Sequence, residues 1–526
     1  MTDKPVVLMP EDIQRIMGKD AQRNNILAAK MVAEVVKTTL GPKGMDKMLV
    51  SPTNDIVVTN DGVTILDEMQ IEHPAARMMV DIARTQESEV GDGTTTAVMI
   101  AGKLLENAEK LLDMKIHPTI ITKGYKIAAE KSQEILKDIA LRITSDDEDV
   151  LRQIAMTAMT GKGAEGSKEW FADIIVRAVK QIGDFHSSVS EIGTEREQVQ
   201  TSRKIDINDI KIEKAKGNGV RDTELISGIV LDKEKVSHDM PQIIRGAKIA
   251  LVDFALELKN PEIDTKISIS SPEQLQSFIS QEEKTIRDMI EKVKMSGANV
   301  VFCQKGIDDF AQYLLSKDGI YACRRVAKSD MEKISKATGG RIVSNLNELT
   351  PFELGNAQIV EEVKHGEDVL TYVRGCQNPK ALTILIRGGT EHVIDEVERA
   401  IKDGLGDVIC SLESGLVVPG GGAIEMELAR RLREFGQSLI GRVQLAVEEF
   451  ASALEFIPAT LAENAGLDPI DILTELKSKH DLGEKNAGLN LFTNKVEDVL
   501  EAKIIEPYKI KSQAISSASE VAIMIL

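Results

Sequence analysis

Gly91-Asp92-Gly93-Thr94-Thr95-Thr96 sets one carboxylate between two glycines and directly ahead of three hydroxyls. Behind it, Ala97, Ile100, Ala101, Leu104, Leu105, Ala108, Leu111 and Leu112 fall three or four apart, which predicts an amphipathic helix starting near Thr94. The unpaired amides of that first turn and the positive end of the helix dipole favour a phosphate. Asp92 would repel a phosphate and is read as the holder of its counter-ion, a magnesium ion. An ordinary helix cap uses the same residue types, and the motif by itself leaves both readings open.

Working outward, residues 11 to 40 carry a helical pattern, with Leu27, Met31 and Val35 beside Ala28, Val32 and Val36, that stops at Gly41-Pro42. Ile56 to Thr59 and Val63 to Leu66 are rich in β-branched residues and flank Asn60-Asp61-Gly62, which predicts a hairpin with Asp61 at its tip. Residues 97 to 180 read as mostly helical, interrupted at His117-Pro118 and between Gly161 and Gly166. The middle alternates strand-like Asn299 to Cys303, helix-like Ile307 to Lys317, strand-like Ile320 to Val326 and helix-like Asp330 to Ala337, a separate α/β domain. Ahead of it, Ser271-Pro272 opens a helix whose Leu275, Phe278, Ile279, Glu282, Ile286, Met289, Ile290 and Val293 share one face, following the polar arm from Leu258. That helix is either core or an exposed protrusion. A further strand, Thr383 to Arg387, turns at Gly388-Gly389 into a helix with Val393, Ile394, Val397, Ala400, Ile401 and Leu405 inward and Asp403 off the stripe. Leu416 to Val418 then passes through Pro419-Gly420-Gly421-Gly422 into another helix, a turn open to close approach by a ligand or simply a glycine turn. Val521 to Leu526 reads as an apolar strand.

A chain of 526 residues is too long for one core. Its net charge of −19 provides no basic footprint for nucleic acid or an anionic membrane. Cys303, Cys323, Cys376 and Cys410 are scattered, with no C-x-x-C pair, which fits a reducing cytoplasm. No apolar run approaches the roughly 20 residues that span a bilayer, so a soluble, non-exported protein is expected. Gly161-Lys162-Gly163-Ala164-Glu165-Gly166 matches the dinucleotide fingerprint but follows no strand-like segment. Ser167-Lys168 reverses the order a Walker A motif requires.

Leu40-Gly41-Pro42-Lys43-Gly44-Met45-Asp46-Lys47-Met48-Leu49, Thr59-Asn60-Asp61-Gly62, the Gly91 to Ala97 stretch and Val418 to Gly422 together closely resemble the group II chaperonins, and their archaeal thermosome branch in particular. Met159 to Glu165, Phe302 to Asp309, Arg387 to Glu391 and Glu463 to Pro469 extend the likeness nearly end to end.

The resemblance implies a multi-domain α and α/β chain. Residues 1–144 and 406–526 would form a mainly helical equatorial ATP domain, and 145–215 with 371–405 an α/β intermediate hinge. Residues 216–370 would form an α/β apical client-binding domain with a helical lid protrusion at about 258–297. ATP or ADP with Mg²⁺ would be bound by Leu40, Gly41, Pro42, Asp61, Gly62, Gly93, Thr94, Thr95, Thr96, Gly161, Lys162, Gly421, Glu506 and Lys511. Asp92 would hold the metal. Asp61 and Asp403 would orient the attacking water, although Asp403 also sits four residues from Arg399, the spacing of a surface ion pair. Glu506 would meet the ribose, and Lys162 would sense the γ-phosphate. Partners would be unfolded or partly folded client proteins and other subunits, homomeric or paralogous, in a double ring of eight or nine per ring. Residues Gly183 to Arg203 look longer than the family has at that place, and relatives carry a few more strand residues beyond the position of Leu526. Two other classes share the Asp-Gly-Thr-Thr pattern or the ring: a small-molecule phosphotransferase and a passive scaffold.

Overall fold

The computed structural model describes residues 18–50, 56–69, 71–162, 165–183, 205–217, 219–258, 272–366, 368–376 and 380–526. The chain forms two compact units, divided at Glu165/Gly166 and Leu405/Gly406, so the first unit is built from both ends of the sequence.

The N-terminal part of the first unit holds α1 (Lys19–Lys37), β1 (Lys47–Val50), β2 (Ile56–Thr59), α2 (Gly62–Glu68), α3 (Pro74–Val90), α4 (Thr94–Asp113), α5 (Pro118–Ile139), β3 (Leu141–Arg142) and α6 (Glu148–Met159). α4 begins at Thr94 as its spacing dictates, and every residue of its predicted stripe is buried except the half-buried Leu112. α1 buries Val32 and Val36 of the expected pattern, with Ala28 and Val35 half-buried against the core, and adds Ile26, Ala29 and Ala33, while Leu27 and Met31 are 56% and 62% exposed. The stretch Val63 to Leu66 is not a strand. It lies in α2, and the partner of β2 is β1, antiparallel with Val50 opposite Ile56. Three β-branched residues in four favoured the strand reading, but the Asp61 carboxylate caps the helix, accepting from Thr64 N at 2.9 Å and Thr64 Oγ1 at 2.7 Å.

The second unit comprises α7 (Lys168–Ile182), β4 (Ile210–Lys216), β5 (Glu224–Ile226), β6 (Gly228–Leu231), β7 (Ile243–Val252), α8 (Pro272–Met295), β8 (Val300–Cys303), α9 (Asp309–Lys317), β9 (Tyr321–Cys323), α10 (Lys328–Thr338), β10 (Ile342–Val343), β11 (Gly355–His365), β12 (Asp368–Arg374), β13 (Leu382–Gly388) and most of α11 (Glu391–Ser414). A sheet ordered β6-β12-β11-β7-β8-β9 carries β10 beside β7, and a second is ordered β4-β13-β5. β7 and β8 run parallel, and β8 and the last four residues of β7 are buried on both faces. Ala250, Val252, Val301 and Cys303 meet Ile286, Ile290 and Val293 of α8 and Leu315 of α9. Ile249, Leu251, Val300 and Phe302 meet Met331, Ile334 and Ala337 of α10. Burial on two sides explains the unbroken apolar runs of these strands. On α8 only the C-terminal half is core; Phe278 and Ile279 are 39% and 46% exposed. Val393, expected inward, is 41% exposed at the start of α11. The arm before α8 and the Gly183–Arg203 stretch beyond Gly183 lie outside the described residues, as does Ser271.

The C-terminal part of the first unit adds β14 (Leu416–Pro419), α12 (Ala423–Gln437), α13 (Arg442–Leu454), α14 (Phe456–Asn464), α15 (Pro469–Asp481), β15 (Ala487–Asn490), β16 (Lys495–Asp498), β17 (Ile505–Pro507) and α16 (Tyr508–Ile525). Val521 to Leu526, expected as a strand, ends a helix whose Ala514, Ile515, Ala518, Ala522 and Ile525 are buried. A short apolar run at a chain end does not distinguish the two periods; the preceding turns of α16 do. One core joins α1, α3, α4, α5, α13 and α16. Tyr125 lies at its centre, edge-on to Phe450 at 5.8 Å between centroids and donating to Leu104 O at 2.7 Å. The sheet β17-β14-β3 ties the two sequence ends together.

Candidate functional site

Within the first unit, the Asp92 loop, the start of α2, the turn after β14 and the start of α16 surround a cavity of about 240 Å³. The loop owes its shape to Gly91 and Gly93, both left-handed (φ 83° and 78°), which end α3 and open α4 with only Asp92 between them. A side chain at Gly93 would also stand 2.6 Å from Ile510 Cγ2. Gln86, fully buried in α3, holds the loop by donating to Asp92 O at 2.9 Å and to Ile510 O at 3.3 Å. The starts of α2 and α4 nearly touch: a Cβ on Gly62 would lie 2.6 Å from Thr95 Oγ1 and 3.2 Å from Thr95 N. The start of α4 therefore opens onto this space beside the capped start of α2, and its first-turn amides and helix dipole attract anionic oxygen.

Of the residues singled out by sequence, Leu40, Gly41, Pro42, Asp61, Gly62, Asp92, Gly93, Thr94, Thr95, Thr96, Gly161, Lys162, Gly421, Glu506 and Lys511 all line this cavity. Asp61 stands there not as a hairpin tip but as the cap of α2, with Oδ2 engaged by Thr64 and Oδ1 3.5 Å from Thr94 Oγ1. Lys162 Nζ is 3.9 Å from Asp92 Oδ1. Gly161 is seated by Asn60, whose Nδ2 donates to Gly161 O at 3.3 Å. Asp403 belongs to the second unit and is not among the lining residues; its helical neighbour Arg399 pairs with Glu396 at 3.0 Å.

The sequence reading missed several lining residues. Ile457, Leu461, Leu489 and Leu491 give the cavity an apolar side, and Asp407 adds a carboxylate that is 3% exposed. Apolar walls with convergent polar groups are the usual composition of a small-molecule site. Glu425, buried in the first turn of α12, was also missed; it reaches Lys511 Nζ at 2.8 Å, and Lys511 in turn reaches Glu506 at 2.6 Å. No short motif joins residues 425, 506 and 511, so only the fold shows the cluster. Burial opposes the charge on Lys511, but Glu425 and Glu506 push its pKa up, and it stays an ammonium ion. Burial raises the Glu506 carboxyl above its usual range, Lys511 opposes that shift, and the Glu425 and Asp92 charges add to it.

The oxygen donors beside Asp92, one carboxylate and the Thr94 to Thr96 hydroxyls, suit a hard divalent cation that keeps several waters and shares its ligands with phosphate. Among the described residues no cluster of three or more His, Cys, Asp or Glu side chains forms a metal cage, and none of the described helices is long and apolar enough to cross a membrane.

Residues 32–526 match the TCP-1/cpn60 chaperonin family. A thermosome subunit of Methanopyrus kandleri is 55% identical over 523 residues, covering 99% of this chain and 94% of the relative. A thermosome subunit beta of Archaeoglobus fulgidus is 55% identical with the same coverage. Among solved structures, the open-state monomer of a group II chaperonin from Methanococcoides burtonii superposes with a TM-score of 0.60 at 47% identity, covering 83% of this chain and 99% of that one.

Proposed function

Because this chain belongs to the TCP-1/cpn60 chaperonin family, we propose that the cavity between the starts of α2 and α4 is its ATP site and that the residues there divide the work of hydrolysis as follows. The protein is an ATP-dependent protein-folding chaperone with a built-in lid, and it is an ATPase. The observation that carries the site assignment is the convergence, in one cavity, of Gly41, Asp61, Asp92, Thr94 to Thr96, Gly421 and Glu506 from five separate stretches of sequence.

The amides of Gly93 to Thr96 and the threonine hydroxyls hold the phosphates. The α4 dipole adds positive potential where negative charge accumulates as the γ-phosphoryl group transfers. Asp92 would hold Mg²⁺, which when bound neutralises phosphate charge. Lys162, 3.9 Å from Asp92, places a second cation at the same end of the cavity and would respond to loss of the γ-phosphate. Glu506, across the cavity wall, accepts from the sugar, and the apolar side formed by Leu461, Leu489 and Leu491 receives the base. A water molecule attacks the γ-phosphorus, the bond to the β-phosphate bridging oxygen breaks with its electron pair leaving on ADP, and the products are ADP, phosphate and a proton. Asp61 orients that water, and Asp403 supplies the second carboxylate.

The same reading makes 216–370 the client-binding part, with a lid at about 258–297, and makes the particle a cytoplasmic double ring of eight or nine subunits per ring, homomeric or mixed. The phosphotransferase and scaffold readings give way to the full-length likeness to chaperonins. Asp403→Ala tests the two-carboxylate arrangement: ATP binding measured by calorimetry should be retained, and turnover should fall by about 10² or more, the scale of losing a positioned water-orienting group. Unchanged turnover removes Asp403 from the reaction.

A further inference from the structure

The wall of the cavity beside the Gly420–Gly422 turn is built on a charge imbalance. Lys511 Nζ lies 2.8 Å from Glu425 Oε1 and 2.6 Å from Glu506 Oε2, a bridge between α12, α16 and β17. The side chains of Glu425 and Lys511 are 2% and 9% exposed, whereas Glu506, 24% exposed, faces the cavity. The second oxygen of Glu425 is buried and has no hydrogen-bond partner among the described residues. Two carboxylates around one ammonium ion leave a net negative charge away from water, an arrangement that persists only where something offsets it. The N-terminal turn of α12, in which Glu425 sits, offsets part. The remainder falls on Glu506, the carboxylate of the cluster that lines the cavity beside Lys511.

Had Lys511 only Glu506 to bond, its ammonium would neutralise that carboxylate and leave a weak acceptor. Shared with Glu425, it pins Glu506 in place without cancelling its charge. We propose that Glu425 is a positioning residue for nucleotide recognition: by drawing Lys511 toward α12 it presents Glu506 to the cavity as an under-neutralised acceptor for a sugar hydroxyl. This rests on the reading of the cavity as the ATP site. The charged groups acting on Glu506 are Lys511 from α16, Glu425 from α12 and Asp92 from the loop between α3 and α4. Since the Glu506 carboxyl is held above its usual range, acidification protonates it early and removes the acceptor, so nucleotide affinity falls as pH falls. Removing the Glu425 charge lets Lys511 stabilise the Glu506 carboxylate alone, and the same loss occurs at lower pH.

The experiment is calorimetric binding of ADP, 2′-deoxyADP and 3′-deoxyADP to the full-length protein and to Glu425→Gln, across a pH series from neutral to acid. The wild type should prefer ADP over the deoxy form that lacks the bonded hydroxyl. Glu425→Gln should reduce that preference by about tenfold, the scale of one hydrogen bond to a charged group, and move the acid midpoint of ADP binding to lower pH. A residue that merely supported the fold would weaken all three ligands alike and leave the midpoint unmoved, and that result overturns the proposal. Glu425→Asp, shorter by one methylene, should shift both readings in the same direction by less, and serves alone if the glutamine variant does not fold. Glu506→Gln separates the two levels of the argument. If it leaves ADP binding and sugar preference intact, the assignment of Glu506 to the sugar fails; if it abolishes the preference while Glu425→Gln behaves as wild type, only the role of Glu425 fails.

Discussion

Asp61 shows how one side chain serves fold and chemistry together. Its Oδ2 caps α2 through Thr64, leaving Oδ1 directed at Thr94 and the cavity. Asn retains a capping oxygen, so Asp61→Asn should keep the melting temperature while turnover falls by about 10². Asp61→Ala should also lose about 1 kcal/mol of stability with the cap. Gly93 is constrained twice, by its left-handed φ and by Ile510 standing 2.6 Å from where a Cβ would go. Gly93→Ala should therefore cost about 1–3 kcal/mol and raise the KM for ATP, readable from denaturant melts and steady-state kinetics. At this scale the sequence is informative wherever a motif is contiguous: the residues from 92 to 96 are expected at one site because helix physics fixes what the first turn offers, and they line one cavity. Glu425 and Asp407 could not be found that way, since their relation to the cavity depends on which helix faces it.

Among the elements, α4 was readable because a stripe of eight apolar residues admits one period only. The starts of α2 and the end of α16 were misread for the opposite reason: four to six β-branched or apolar residues fit either period, and a cap or a preceding helix decides. α12 and α15 are joined by Glu427, fully buried, which accepts from Arg430, Arg431 and His480 at 2.9, 2.8 and 3.1 Å. Burial works against its charge, yet these three partners hold the Glu427 carboxyl well below the usual range. Glu427→Gln removes the charge these three partners share, Arg430 keeping Glu434 and Arg431 keeping Asp138, and should cost about 1–3 kcal/mol in a chemical melt. In the second unit, Arg387 of β13 donates to His365 Nδ1 at 3.0 Å, and His365 Nε2 meets Tyr372 OH at 2.7 Å. The Nδ1 contact requires a neutral imidazole there. Burial first, then the Arg387 cation, lowers its pKa, with Glu224 and Asp368 opposing and Arg374 adding. The unfolded chain therefore takes up this proton before the folded one, and stability should fall as pH drops through and below about 6.5. Denaturant midpoints between pH 7.5 and pH 5.5 check the sign, and His365→Gln should flatten the slope.

For the molecule as a whole, the separate α/β middle followed from alternating short strands and helices, because a parallel sheet covered on both faces needs unbroken apolar strands. That the two chain ends share one core was not derivable from local pattern; β14 pairing with both β3 and β17 is a non-local fact, supplied beforehand only by the family likeness. Native mass measurement addresses the assembly: an eightfold double ring of 57.6 kDa chains would weigh about 920 kDa, and a stable species near one or two subunit masses would contradict it. The most direct test of the account is Asp92→Ala, with ATP turnover and recovery of a chemically denatured client measured on the same preparation. The account predicts a folded protein whose hydrolysis falls by about 10² or more and whose client recovery with ATP drops to the spontaneous level. Wild-type hydrolysis in that variant, or full ATP-dependent recovery after hydrolysis is lost, would contradict it.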